Sequence, residues 1–233
     1  MMPRRTAIIP PMIFPLALPL LLLFFVLLLG LLVLVFELRI LGYAYRKIGV
    51  PARYMFAVML VSLLGSLFNI PVFEMRAAAV APPADTTLYG RRYVPPPVVR
   101  RGTTIVAINV GGALVPMLLS LYLFLRHRLK LRMLLGTAVV ALIVHSLATI
   151  VPGVGIAVPM LLPPIAAAVV GLALAYRQAP PVAYVAGSMG ALIGADLWNL
   201  PRIAEIGAPV VSIGGAGTFD GVFLTGIIAG LLA

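Results

Sequence analysis

Apolar residues in this chain come in long unbroken runs instead of alternating with polar ones, and about seven runs approach bilayer-crossing length. They cover residues 16–41, 54–72, 104–125, 132–151, 155–176, 181–200 and 218–233. Lipid offers no water to satisfy backbone groups, and continuous runs favour helices over the alternating strands of a barrel. The predicted fold is all-α, a polytopic transmembrane helix bundle of about seven spans. The first run follows Arg4 and Arg5, is too long for a signal peptide and lacks a small-residue cleavage site, so it reads as a retained helix. The fifth contains Pro159, Pro163 and Pro164 and is expected to kink near its start.

Residues 73–103, with "APPAD" and "RRYVPPPVVRR", interrupt this pattern. Proline and arginine at that density do not sit in hydrocarbon, so the segment reads as an extramembrane loop of a single integral membrane domain, residues 1–233. Composition agrees: 63% of residues are hydrophobic and 10% charged, and the mean hydropathy is +1.17. No cysteine is present, which removes disulfides, thiolate metal sites and cysteine nucleophiles. The formal charge of +11 is spread over the connections, which suits topology control and anionic lipid headgroups better than nucleic acid. Connections 1–2, 3–4 and 5–6 carry Arg39, Arg46, Lys47, Arg53, Arg126, Arg128, Lys130, Arg132 and Arg177. The opposite side has Arg4, Arg5, Arg76, Arg91, Arg92, Arg100, Arg101 and Arg202. Because the positive-inside bias is strongest in short loops, the first set and the C-terminus are expected to be cytoplasmic.

Six acids exist, and Glu37, Glu74, Asp85 and Glu205 fall near span ends or in connections. Asp196 and Asp220 lie inside the sixth and seventh runs. At 1.5 Å per residue, Asp196 is about 22 Å from the start of its run and Asp220 about 20 Å from the end of its own. In antiparallel neighbours both distances start from one membrane face, which places both carboxylates roughly 8–10 Å inside the hydrocarbon. Intramembrane acids are costly and usually face a bundle interior or a watery cavity, and two held close tend to share a proton. The plainer alternative is local: Asp196 hydrogen-bonds Asn199, and Asp220 stabilises the start of its helix.

Around these acids the chain repeats itself loosely. The second run ends in Asn69-Ile70-Pro71 and the sixth in Asn199-Leu200-Pro201; Gly111-Gly112-Ala113 opens the third and Gly214-Gly215-Ala216 introduces the seventh. Hairpins 2–3 and 6–7 thus form a weak parallel repeat, with polar ends and glycine re-entries of the kind that line a shared cavity. Otherwise proline simply ends helices and glycine permits close packing. Ala183, Gly187, Ala191, Gly226 and Gly230 read as helix-packing positions. His127 belongs to a basic connection, and His145 suits a hydrogen-bonded core residue or a proton carrier. Metal-ligand spacing, a dinucleotide fingerprint and a phosphate loop are all absent from the sequence, so neither a metal nor a cofactor is expected.

The phrases "SLLGSLFNIPV", "INVGGALVP", "YVAGSMGALIGADLWNLP" and "GAPVVSIGGAGTFDGVFLTGIIA" together resemble an uncharacterised prokaryotic membrane protein family, the domain-of-unknown-function family numbered sixteen-fourteen. An aspartate late in one helix and another after a glycine pair early in the next also resembles the presenilin and signal-peptide-peptidase class of intramembrane aspartyl proteases. Here Ala195 stands where that class has tyrosine, and Thr218 and Phe219 separate Gly217 from Asp220. That second resemblance implies catalysis by Asp196 and Asp220. Asn69, Asn199, Gly214, Gly215, Gly217 and Thr218 are the candidate substrate-binding positions, through free backbone groups that hold an extended strand. The alternatives are a proton- or cation-coupled transporter using the same acids, and a non-catalytic scaffold. Expected partners are the bilayer of the cell membrane and a membrane-embedded peptide or a small ion or solute.

Overall fold

The computed structural model describes residues 17–76, 86–88, 91–93, 103–151, 155–215 and 221–233. The chain forms two compact units, Met1–Ile40 and Leu41–Ala233. Helix α1 (Ala17–Ile48) supplies all of the described part of the first. Within Pro19–Ile48 an 18-residue window reaches a mean hydropathy of 3.2, as suits a lipid-crossing segment.

The second unit begins with the last turns of α1 and continues through α2 (Ala52–Gly65), α3 (Val115–Arg126), α4 (Lys130–Leu147), α5 (Leu162–Ala175), α6 (Ala179–Ala191) and α7 (Gly221–Leu232). Glycines and alanines set its packing. A Cβ on Gly171 would lie 2.7 Å from that of Ala183. Twelve residues of straight helix would span about 18 Å, so α5 and α6 fold back as an antiparallel hairpin through Tyr176–Gln178. Gly136 faces Ala186 and Gly190 faces Val140, so α4 runs parallel to α6. Gly226 against Ser188 and Gly230 against Tyr184 set α7 antiparallel to α6. The small-residue positions on α6 and α7 are therefore packing surfaces, as expected from sequence.

The prediction of an all-α fold needs correcting. The protein is mostly helical, but β1 (Asn69–Arg76), β4 (Thr103–Asn109) and β7 (Val210–Ile213) form a three-stranded sheet, with β1 antiparallel and β7 parallel to the central β4. Thr86–Leu88 pairs with Arg91–Tyr93 (β2 and β3), and Thr149–Val151 with Gly155–Ala157 (β5 and β6). The second and third apolar runs are thus part helix, part strand. Pro71 denies a helix its N–H and is tolerated in β1 because β1 is an edge strand with a bulge there. Threonine, valine and isoleucine dominate β4, and an apolar run alone does not separate buried strand from helix. The predicted kink in the fifth run is also corrected: α5 starts at Leu162, so Pro163 and Pro164 occupy its first turn, where no intrahelical N–H is lost. Among the described residues, three helical stretches are long and apolar enough to cross a membrane: Pro19–Ile48, Lys130–Leu147 and Leu162–Leu197, the last comprising the α5–α6 hairpin and the turn after it.

At the end of the unit away from the sheet, His127 packs on Gly49, whose φ of +98° suits glycine. Burial, and secondarily Arg126, lower the imidazole pKa from its usual 6.5. The unfolded chain then takes up this proton first on acidification, so stability falls as pH drops below 6.5. In His127→Gln, the loss of melting temperature between about pH 7 and about pH 5 should be smaller than in wild type.

Candidate functional site

At the end of α6 the helix widens into a π-helical turn, Leu192–Leu197, a type of irregularity frequent at functional sites. A Cβ on Gly194 would stand 2.3 Å from the Ala141 carbonyl oxygen, so glycine lets this turn lie directly on α4. Loosened carbonyls find side-chain donors. The buried Asn199 Nδ2 donates to Ala195 O at 2.8 Å and to Gly194 O at 3.3 Å, and His145 Nδ1 lies 3.2 Å from Gly194 O. As the Nδ1–H tautomer His145 donates to that carbonyl; as the Nε2–H tautomer its Nδ1 accepts from Asn199 Nδ2, 3.5 Å away. Its ring meets Trp198 edge-on, with centroids 5.4 Å apart. His145 is thereby a hydrogen-bonded structural residue of this turn.

Asp196 turns the opposite way. Its Oδ2 accepts the Gly214 N–H at 2.7 Å, and its backbone carbonyl accepts the Asn199 N–H at 3.2 Å. Gly214 and Gly215 have φ of +81° and +91°, and this left-handed turn after β7 aims the Gly214 amide at the carboxylate. Local pairing of the Asp196 carboxylate with the Asn199 side chain, the plainer expectation, is replaced by this contact between α6 and β7.

The half-buried Asp196 lines a cavity of about 340 Å³. Val210, Ser212 and Gly215 form a wall beside it, Gly221 and Thr225 of α7 another, and the β5–β6 hairpin with the segment behind it supplies apolar surface. The Ile105 N–H donates to Pro209 O at 3.0 Å, and in the parallel register Ile105 stands opposite Val210. Strand alternation therefore turns the N–H and C=O of Val210, and the N–H of Ser212, away from β4. No other described strand pairs with that edge.

Of the remaining sequence-selected positions, Asn69 and Asn199 stand apart from this cavity. Asn69 begins β1, and its Oδ1 accepts from Ser212 Oγ at 2.5 Å and from Asn109 Nδ2 at 3.0 Å. Gly217, Thr218 and Asp220 lie outside the described residues, so the Asp196–Asp220 separation does too. Sequence reasoning missed Asn109 and Ser212. Asn109, 1% exposed, also donates to Ser66 O at 2.7 Å and accepts the Gly112 N–H at 2.7 Å, capping the π-helical turn Val110–Leu114. Its place two residues before Gly111-Gly112-Ala113 was the available signal, since asparagine caps such turns. Asn109→Leu strands Ser66 O and the Gly112 N–H, while Asn69 Oδ1 keeps Ser212 Oγ, and should cost about 3 kcal/mol, measured by thermal unfolding in detergent.

The family described as Protein of unknown function (DUF1614) matches residues 63–232. No curated protein and no solved structure matches the chain.

Proposed function

The chain belongs to the DUF1614 family over a stretch reaching from the end of α2 to the end of α7, and for it we propose an intramembrane hydrolase of aspartyl type acting on extended polypeptide. One observation carries this reading: the Asp196 carboxylate and the unpaired edge of β7 share one wall of the cavity. A peptide unwound from a membrane helix would add to β7 as a fourth strand, satisfying its backbone through Val210 and Ser212. Asp196 would take a proton from a water whose oxygen attacks the scissile carbonyl carbon. Asp220, one residue before the cavity-lining Gly221, would donate its proton to the carbonyl oxygen. Collapse of the tetrahedral adduct then breaks the C–N bond, with Asp196 protonating the leaving amine and Asp220 recovering its proton to yield one carboxylic acid and one amine.

The seven-segment topology in the cell membrane and the repeat of hairpins 2–3 and 6–7 belong to the same reading. Their support is that β4 and β7 lie side by side and parallel, each passing through a glycine-containing turn toward a helix, α3 or α7. A proton- or cation-coupled transporter would use the same acid and cavity, and an assay separates the two. In liposomes, the full chain should cleave a fluorogenic transmembrane peptide without moving protons down an imposed gradient. Val210→Pro removes one outward N–H and leaves the β4 ladder intact, so cleavage should slow about tenfold. Proton flux without cleavage would replace this reading with the transporter, and the absence of both would favour the scaffold.

A further inference from the structure

The end of the second unit opposite the sheet concentrates positive charge from turns far apart in sequence. Lys47 Nζ donates to Leu231 O at 2.8 Å, joining the end of α1 to the end of α7. Gly49 meets His127, which brings in the α3–α4 turn, and Gly230 lies beside both Ile48 and the Pro180 carbonyl, which brings in the α5–α6 turn. Arg46, Lys47 and Arg53 from the first turn, Arg126, Arg128, Lys130 and Arg132 from the second, and Arg177 from the third therefore share one face. Among the described residues, no carboxylate lies within ion-pair distance of any of these eight; the ion pair Arg202–Glu205 involves neither that face nor these turns. Aromatic rings take some of them, Arg53 over Tyr54, Arg126 over Tyr122 and Lys130 over Phe124, which orients the cations and leaves their charge uncompensated.

A face of this kind, at the ends of helices apolar enough to cross a bilayer, lies at headgroup depth. We propose that these three turns form a binding surface for anionic phospholipid headgroups, whose phosphates supply the counter-charge that the protein lacks there. Arginine in the α3–α4 turn offers forked donors matched to phosphate oxygens, and the turns around it add further cations. At the opposite end, carboxylates stand beside described cations: Glu74 shares β1 with Arg76, and Glu205 pairs with Arg202.

Native mass spectrometry of the full chain in detergent, titrated with phosphatidylglycerol or phosphatidylcholine, tests the proposal. Phosphatidylglycerol should bind at least about tenfold more tightly, with the preference shrinking as salt rises, because each basic residue near an anionic surface contributes about fivefold. Arg126→Gln/Arg128→Gln/Arg132→Gln should lose most of that preference, while Arg202→Gln at the other end retains it. Equal binding of the two lipids by wild type would overturn the proposal. A preference unchanged in the triple variant would overturn it equally. If the triple variant does not fold, single substitutions at Arg128 and Arg177 give the same reading through a graded loss.

Discussion

Asp196→Asn should reduce peptide cleavage by about 10²–10⁴-fold while leaving the protein folded. Asparagine has almost the shape of aspartate, and its side-chain oxygen can still accept the Gly214 N–H that spans 2.7 Å in wild type. What disappears is the ability to take a proton from water. Proteoliposome cleavage of a transmembrane peptide, with thermal unfolding followed on the same preparation, separates chemistry from stability. A variant that cleaves at the wild-type rate would rule out the aspartyl mechanism. A variant that loses its fold along with its activity would instead assign Asp196 to holding β7 against α6. Gly214→Ala gives a contrast read beside its own thermal unfolding, since it strains a φ of +81°, sets a Cβ 2.6 Å from the Ala113 nitrogen and moves the amide while sparing the acid. A loss of activity there with the carboxylate intact marks Gly214 as a positioning residue, and the loss should appear mainly in kcat.

Gly111→Ala should be the most damaging small substitution in the protein, at about 3–5 kcal/mol. The added Cβ would lie 2.0 Å from the Ser62 carbonyl oxygen and 2.4 Å from the Ser66 nitrogen, both backbone atoms at the end of α2. Flexible side chains could yield, but two backbones cannot separate without breaking what joins them. Ser62 Oγ donates to Gly111 O at 3.0 Å, and Asn109 holds Ser66 O two residues earlier. Forcing α2 from the Val110–Leu114 turn would therefore strand buried polar groups as well as open a gap. Thermal unfolding in detergent measures the effect. Gly30→Ala in α1, where a Cβ meets nothing within 4 Å, is the matched control and should be neutral or slightly stabilising. Equal behaviour of the two variants would show that the contact between α2 and the turn does not hold the fold.

Much of this molecule could be read from residue order, because lipid imposes simple constraints. Runs of leucine, valine and phenylalanine marked helical stretches that, among the described residues, are long and apolar enough to cross a membrane, since hydrocarbon tolerates little else. Glycine and alanine at four-residue spacing on α6 and α7 marked where helices touch. The acid in the sixth run stood out for its cost, and it does line a cavity. Tertiary structure decided the rest. Residues 104–109 are as apolar as the helices beside them, and they become a strand because β1, β4 and β7 satisfy one another's backbone, pairings between segments 27–40 and 105 residues apart. Asn69 and Asn199, alike in their Asn-x-Pro settings, part company for the same reason: one lies on a sheet and the other caps a π-helical turn. The contact between Gly214 and Asp196 crosses 18 positions, and no local pattern specifies it. Sequence by itself determined the solvent, the helices and the rare acid, because these follow from transfer energies of single residues and short runs. Only the folded chain decided what faces the acid, because hydrogen bonds between distant backbones depend on which segments meet.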